Sequence, residues 1–220
     1  MADEYMTDDE QLEHVKRWTS ENGPWLIGGV VLGAAALFGY RYYHSYVNER
    51  ALKAAAQFSE MTLAVQSNDR GKSRQIAGGL IKDYASSPYA DQARLTIARL
   101  YVDDGQLASA IPPLTQVMDG SKDNELRQIA RLRVARIMID QGKPDEAIKT
   151  LADEAAPGAF TARYHEVRGD ALLAKKDIAA AVGEYKAAIA ARDAGVDVAL
   201  LELKIADLGI PAATVAKAKP

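Results

Sequence analysis

Residues Ala93–Ile111 read ARLTIARLYVDDGQLASAI, and residues Ala130–Ile148 read ARLRVARIMIDQGKPDEAI. The two stretches align at an offset of 37 residues, with Ala, Arg, Leu, Ala, Arg, Asp, Gly, Ala and Ile coinciding. A weaker third copy, His165–Val182, follows at an offset of 34. Self-similarity of this period restricts the fold more than any other feature of the chain. Each copy is one supersecondary unit that cannot bury its apolar face alone, so copies must stack on one another.

The small residues set the type of unit. Ile97-Ala98-x2-Tyr101 is followed by Ala110-x3-Leu114, and Val134-Ala135-x2-Met138 by Ala147-x3-Leu151. Arg168-Gly169-x2-Leu172 is followed by Ala181-x3-Tyr185 and Ala188. The step from the first small residue to the second is twelve in all three copies. That constancy predicts paired antiparallel helices touching at small residues, the tetratricopeptide (TPR) pattern. Turns at Asp104-Gly105, Gln141-Gly142 and Lys176-Asp177 separate the partners, with Pro144 suited to a first helical turn. A degenerate unit is expected in front, Phe58–Gln66 paired with Ser73–Tyr84, with Ala77 and Ile81 in the repeat positions. A helix over Val196–Leu208, with Val198, Leu201, Ile205 and Leu208 on one face, should cap the stack. Pro112-Pro113 interrupts the second helix of the first clear repeat, which must kink or start late. The kink is favoured, because Ala110 and Leu114 keep their repeat positions.

Before the repeats lies Trp25–Tyr43, and no charge occurs between Gly23 and Tyr40. Its nineteen residues would span roughly 28 Å as a helix, close to the hydrocarbon thickness of a bilayer. A buried core helix apolar on every face would have nothing to cover it. A cleaved leader would carry a basic front and a small-residue cleavage site. Residues 1–24 instead hold two basic and seven acidic residues, and bulky Arg41-Tyr42-Tyr43 follows Tyr40. The reading is an uncleaved membrane span with an aromatic belt at Trp25, Tyr40, Tyr42 and Tyr43. A short amphipathic helix from Asp8 to Glu21 is expected ahead of it, broken by Asn22-Gly23-Pro24. Inside the span, Gly29 and Gly33 form a G-x-x-x-G pair, a face on which another membrane helix can approach closely.

The expected fold is therefore all-α: one transmembrane helix, then a TPR-like solenoid of three to four helix pairs and a capping helix. The boundaries are an acidic tail over 1–24, the span over 25–43, the repeat domain over 44–209 and a disordered tail over 210–220.

Little in the chain suggests catalysis. There is no cysteine, which removes disulfides, thiol nucleophiles and thiolate metal ligands. His14, His44 and His165 lack spaced partners for a metal or a proton relay. Gly71-Lys72-Ser73 matches the end of a phosphate loop, but Gln66 stands where its first glycine belongs and no strand precedes it. Asp103-Asp104 and Asp153-Glu154 read as solvated helix ends. Beyond residue 24 the chain carries 25 basic and 23 acidic residues, too balanced for a nucleic-acid footprint. No cofactor, metal or nucleic acid is expected.

A TPR stack binds through its concave face, lined mainly by the first helix of each pair. The repeat register places Leu95, Arg99, Leu132, Arg136, Glu166 and Asp170 there. Arg99 and Arg136 are equivalent residues in neighbouring repeats. They either receive an acidic or extended segment of a partner, or pair with Glu166, Asp170 and nearby acids.

Several stretches together resemble a known family. They are Val15-Lys16-Arg17-Trp18, Glu21-Asn22-Gly23, the glycine-rich span, Gly39-Tyr40-Arg41-Tyr42 and Leu132-Arg133-Val134-Ala135-Arg136. Over residues 9–210 the chain resembles the YfgM family, bacterial ancillary subunits of the Sec translocon. The resemblance implies an inner-membrane protein with a cytoplasmic N-terminus and a periplasmic TPR domain. It implies association with the SecYEG channel and with the membrane-anchored periplasmic chaperone PpiD, contact with client polypeptides, and help for secreted and outer-membrane proteins leaving the channel. It also implies a link between the cytoplasmic tail and a stress-response regulator, and it supplies no catalytic residues. Pro112-Pro113 departs from the family pattern at that helix. The flanking charges point the other way on orientation: Lys16 and Arg17 precede the span, while Arg41, Arg50 and Lys53 follow it. They favour a TPR receptor that faces the cytoplasm and recruits a soluble chaperone or complex.

Overall fold

The computed structural model describes residues 8–152, 158–191 and 196–209. Among them every regular element is helical. Residues 210–220, expected as a disordered tail, and the pair Asp153-Glu154 lie outside the described residues. The chain divides into two compact units, Met1–Lys53 and Ala54–Pro220.

The first unit is built on α1 (Asp8–Gln66). The expected break at Asn22-Gly23-Pro24 does not occur, and Pro24 sits inside the helix. Polar side chains just ahead of it bond back to carbonyls of the same helix. Thr19 Oγ1 donates to the Val15 carbonyl at 2.7 Å, Ser20 Oγ to Arg17 at 2.9 Å and Asn22 Nδ2 to Trp18 at 3.0 Å. Proline deletes one backbone donor, and the residue whose carbonyl loses it, Ser20, is exposed. The apolar run presents its side chains outward: Trp25, Val30, Leu32 and Phe38 are all exposed. This helix is long and apolar enough to cross a membrane. Gly29 and Gly33 are open, since a Cβ built on either meets nothing within 4 Å.

The second unit takes the last turns of α1 and adds α2 (Arg70–Asp83), α3 (Pro88–Asp103), α4 (Leu107–Gly120), α5 (Asn124–Asp140), α6 (Pro144–Ala152), α7 (Thr161–Ala174), α8 (Ile178–Ala191) and α9 (Val198–Asp207). The starts are capped as the sequence chemistry dictates. Asp69 accepts from Lys72 N, Ser87 from Tyr89 N with Pro88 in the first turn, and Asp123 from Glu125 N and Leu126 N.

The three repeat turns share one geometry. Gly105 and Gly142, both at φ +73°, and Lys176 at +65° adopt the left-handed conformation. The following amide reaches back to Tyr101, Met138 and Leu172 carbonyls at 2.8, 2.8 and 3.0 Å, which closes a Schellman motif in each copy.

Each first helix serves two cores, which is what makes the stack continuous. Ala54, Met61, Ala77, Leu80 and Ala93 join α1, α2 and α3. Leu95, Ala98, Leu114, Val117, Val134 and Ile137 join α3, α4 and α5. Leu132, Ala135, Leu151, Tyr164 and Val167 join α5, α6 and α7. Ala162, Tyr185, Ala188, Leu201 and Ile205 join α7, α8 and α9. The cap differs from expectation at one residue: Leu201 and Ile205 are buried, but Val198 is exposed.

The proline pair does not delay its helix, since α4 begins at Leu107 and contains both prolines. Ala108 and Ser109 lose their helical donors to Pro112 and Pro113, and both are exposed, so water can replace the lost bonds.

Asp104 ties the C-terminus of α3 to α2, receiving bonds from Arg70 Nη1 and Arg74 Nη2. Arg74 first, then Arg70, holds its carboxyl below the usual carboxylate range. A depressed folded pKa gives stability that is present above the unfolded value and lost as pH falls through the folded one. Asp104→Asn should therefore lower the urea midpoint at neutral pH. The gap from wild type should close as pH drops below about 4. A gap independent of pH would show that the ion pairs contribute nothing.

Candidate functional site

The inner row of the stack is α3, α5 and α7, and α5 packs directly against both others. Leu95 and Leu132 lie mostly inside the cores, 8% and 5% exposed. A first helix has its own partner on one side and the next pair on another. Its open face is therefore narrower than the repeat register alone suggests, and these leucines offer a partner little surface.

Glu166 on α7 is 7% exposed and ringed by cations. Its carboxylate lies 3.3 Å from Arg163, 3.6 Å from Lys204 and 3.9 Å from Arg136. Asp170, one turn on, accepts from Lys204 Nζ and Tyr185 Oη, each at 2.7 Å. Burial, then Asp170, pushes the Tyr185 phenol above its ordinary pKa, so it remains a donor. The acidic end of the inner face is thus closed by pairing. For Arg136 the inter-repeat pairing weighed from the sequence is present, through Glu166. Arg99 stays within its own helix, 3.7 Å from Asp103. His165 also has a partner that sequence reasoning missed: Nδ1 lies 2.7 Å from Glu184, which Arg168 reaches at 3.6 Å.

The basic end is different. Arg99 from α3 and Arg133 and Arg136 from α5 line one cleft of about 320 Å³ together with Val102, Leu114, Ile137 and Asp140. Arg133 reaches across to donate to the Leu95 carbonyl at 3.3 Å. Burial of its guanidinium, then the Arg99 and Arg136 charges, lowers its pKa. Arg133 was not among the sequence-selected residues. Its signal was its place three residues before Arg136, on the same helix face.

A second cleft, of about 180 Å³, shares Arg99 and continues toward Arg70, Thr62 and Val65. Another cavity, of about 1240 Å³, lies along Pro88, Arg94, Pro112 and Lys122 and shares no lining residue with the arginine cleft. There Arg94 is already held by Asp91 at 2.9 Å and Gln116 at 3.0 Å. Among the described residues, no group of three or more His, Asp or Glu could hold a metal.

Residues 16–210 match the tetratricopeptide repeat-like domain family. The chain is 31% identical over 207 residues to the ancillary SecYEG translocon subunit of Escherichia coli (strain K12), covering 94% of this chain and 98% of that protein. It is 28% identical over 181 residues to the ancillary SecYEG translocon subunit of Haemophilus influenzae, covering 82% and 88%. The crystal structure of the P58(IPK) TPR domain aligns over 76% of this chain and 48% of that one, at 16% identity and a TM-score of 0.43. The Escherichia coli protein is matched nearly end to end and the repeat-like domain over residues 16–210, so the chain belongs to the family of the ancillary SecYEG translocon subunits, built on a TPR-like domain.

Proposed function

We propose that the chain is a single-pass inner-membrane scaffold of the Sec translocon, acting by protein–protein contact and without catalysis. The α1 span anchors it, with residues 1–24 in the cytoplasm and the repeat domain over 44–209 in the periplasm. There it assists the folding and trafficking of secreted proteins beside the channel. Its partners are SecYEG, through a membrane-helix contact on the Gly29/Gly33 face, a PpiD-type membrane-anchored chaperone, and client polypeptides. One observation carries this reading: the relationship to the Escherichia coli subunit runs through 94% of this chain, taking in the apolar helix as well as the repeats.

The charges around the span support the opposite orientation, in which the repeats recruit a soluble cytoplasmic chaperone. Sidedness separates the two. The chain has no cysteine, and Ser20 and Ser109 are exposed, so single-cysteine variants at these positions report cleanly. In intact spheroplasts an impermeant maleimide should label Ser109→Cys and leave Ser20→Cys untouched until lysis. The reverse pattern would sink the periplasmic assignment. A photo-crosslinking residue in place of Val30 should capture a Sec channel subunit, and capture of none would remove the translocon from the reading.

A further inference from the structure

We propose that the arginine cleft between α3 and α5 binds an extended protein segment in which acidic side chains flank a single apolar one. This deepens the scaffold reading and rests on it, since it gives the repeat domain a partner of stated chemistry.

Charge argues first. Arg99, Arg133 and Arg136 face one cleft of about 320 Å³, and guanidinium groups stay charged at any physiological pH. Their native partners are poor. Arg99 and Arg136 sit 3.7 and 3.9 Å from Asp103 and Glu166, beyond hydrogen-bond length. Glu166 is shared with Arg163 and Lys204. Arg133 makes a single described hydrogen bond, to a backbone carbonyl, which brings no negative charge. The like charges therefore press on one another, and after burial they are the next causes of the lowered Arg133 pKa. Incoming carboxylates relieve that repulsion and can bind guanidinium in two-point geometry.

Shape argues second. Of the apolar residues beside the arginines, Ala98, Leu114 and Ile137 are buried and Val102 is 39% exposed. A ligand of carboxylates alone would leave Val102 uncovered. Asp140 also lines the cleft, where it disfavours acid on its side and offers an acceptor for a ligand backbone N–H. A second cleft shares Arg99 and is lined by Arg70, Thr62 and Val65, with Asp103 as its acid, so both clefts meet at Arg99. A compact anion would fill one cleft, whereas an extended chain spans both.

The test uses the full chain in nanodiscs of zwitterionic lipid. The probe is a fluorescein-labelled peptide with Asp-Glu pairs on either side of one leucine. Its control replaces those acids with Asn and Gln. Fluorescence polarisation should show binding of the acidic peptide only, weakening as salt rises. Arg133→Gln and Arg99→Gln should each weaken it about tenfold or more. Lys149→Gln, an equal charge change on exposed α6, should leave it unchanged. Arg136 is the poorer handle because it also neutralises Glu166.

Equal binding of both peptides, or binding indifferent to Arg133→Gln, overturns the proposal. So does equal displacement by inorganic phosphate, which would make the cleft a small-anion site. Self-association of the chain that Arg133→Gln abolishes would assign the cleft to a second copy and overturn it too. Co-purification of SecYEG is measured on the same samples. SecYEG retained without Arg133-dependent peptide binding defeats the cleft and spares the scaffold. Arg133-dependent binding without SecYEG defeats the Sec reading instead.

Discussion

Tyr164→Ala is expected to destabilise the repeat domain by about 3–5 kcal/mol, the range for deleting a large buried aromatic. Tyr164 is fully buried, and it packs with Leu132 and Ala135 of α5, Ala147 and Leu151 of α6, and Val167 and Ala171 of α7. Its hydroxyl also donates to the buried Gln128 Oε1 on α5. The side chain therefore belongs less to one helix pair than to the junction between two.

That location predicts the form of unfolding as well as its size. A stack of pairs is held together by nearest-neighbour interfaces, so stability is close to a sum of units and junctions. Domains of this size have about 5–15 kcal/mol in total. Removing the α5/α6/α7 junction should uncouple α7–α9 from what precedes them. Far-UV circular dichroism of the full chain in detergent, followed through urea, should change from one transition to two. Tyr164→Phe keeps the ring and removes the donor to the buried Gln128 Oε1, so it should cost less, about 1–3 kcal/mol, and keep a single transition. A single transition in Tyr164→Ala would show that the junction is not the weak point of the stack.

How far the sequence carries depends on what it repeats. The helix pairs were legible because small residues recur twelve apart and a helix-stop follows each first helix. Close helix contact needs those residues and little else uses them in that order. The long apolar helix was legible because eighteen consecutive uncharged residues, Gly23–Tyr40, have few other uses. Continuity through Pro24 was not legible, since the proline removes only the bond to the exposed Ser20 carbonyl and Asn22-Gly23-Pro24 reads the same whether a helix stops there or absorbs that loss.

The cleft was half legible. Arg99 and Arg136 stand at the same place in successive repeats, so register found both. Arg133 has Thr96 as its counterpart, so register passed it over. It enters the cleft because α3 and α5 are neighbours in space, and its guanidinium crosses to the Leu95 carbonyl. Leu95 and Leu132 show the converse. Register gave them a side of the helix, but packing against the next pair decided their burial. Glu166 also needed tertiary structure, because one of its cations, Lys204, comes from α9.

Gly169→Ala should destabilise the chain by about 1–3 kcal/mol, an overpacking cost from one methyl group. A Cβ at Gly169 would stand 2.5 Å from Tyr185 Cε1 and 2.7 Å from Cδ1. The ring has no easy retreat. It is fully buried, its hydroxyl donates to Asp170 at 2.7 Å, and Lys204 lies 5.4 Å from its centroid. The other repeats explain why glycine is needed here and not there. Ala98 shares a core with Leu114, and Ala135 with Leu151. In the third repeat the matching second-helix residue is Tyr185, larger and flat, and the first-helix residue shrinks to glycine. Small residue and filler are thus sized against each other across each pair. It follows that Gly169→Ala combined with Tyr185→Leu, which rebuilds the arrangement of the other two repeats, should cost less than the sum of the single changes, by about 0.5–3 kcal/mol. Calorimetric or urea midpoints of the four proteins measure this coupling. Strict additivity would mean that the backbone of α7 or α8 yields, and that the glycine is not there for the ring.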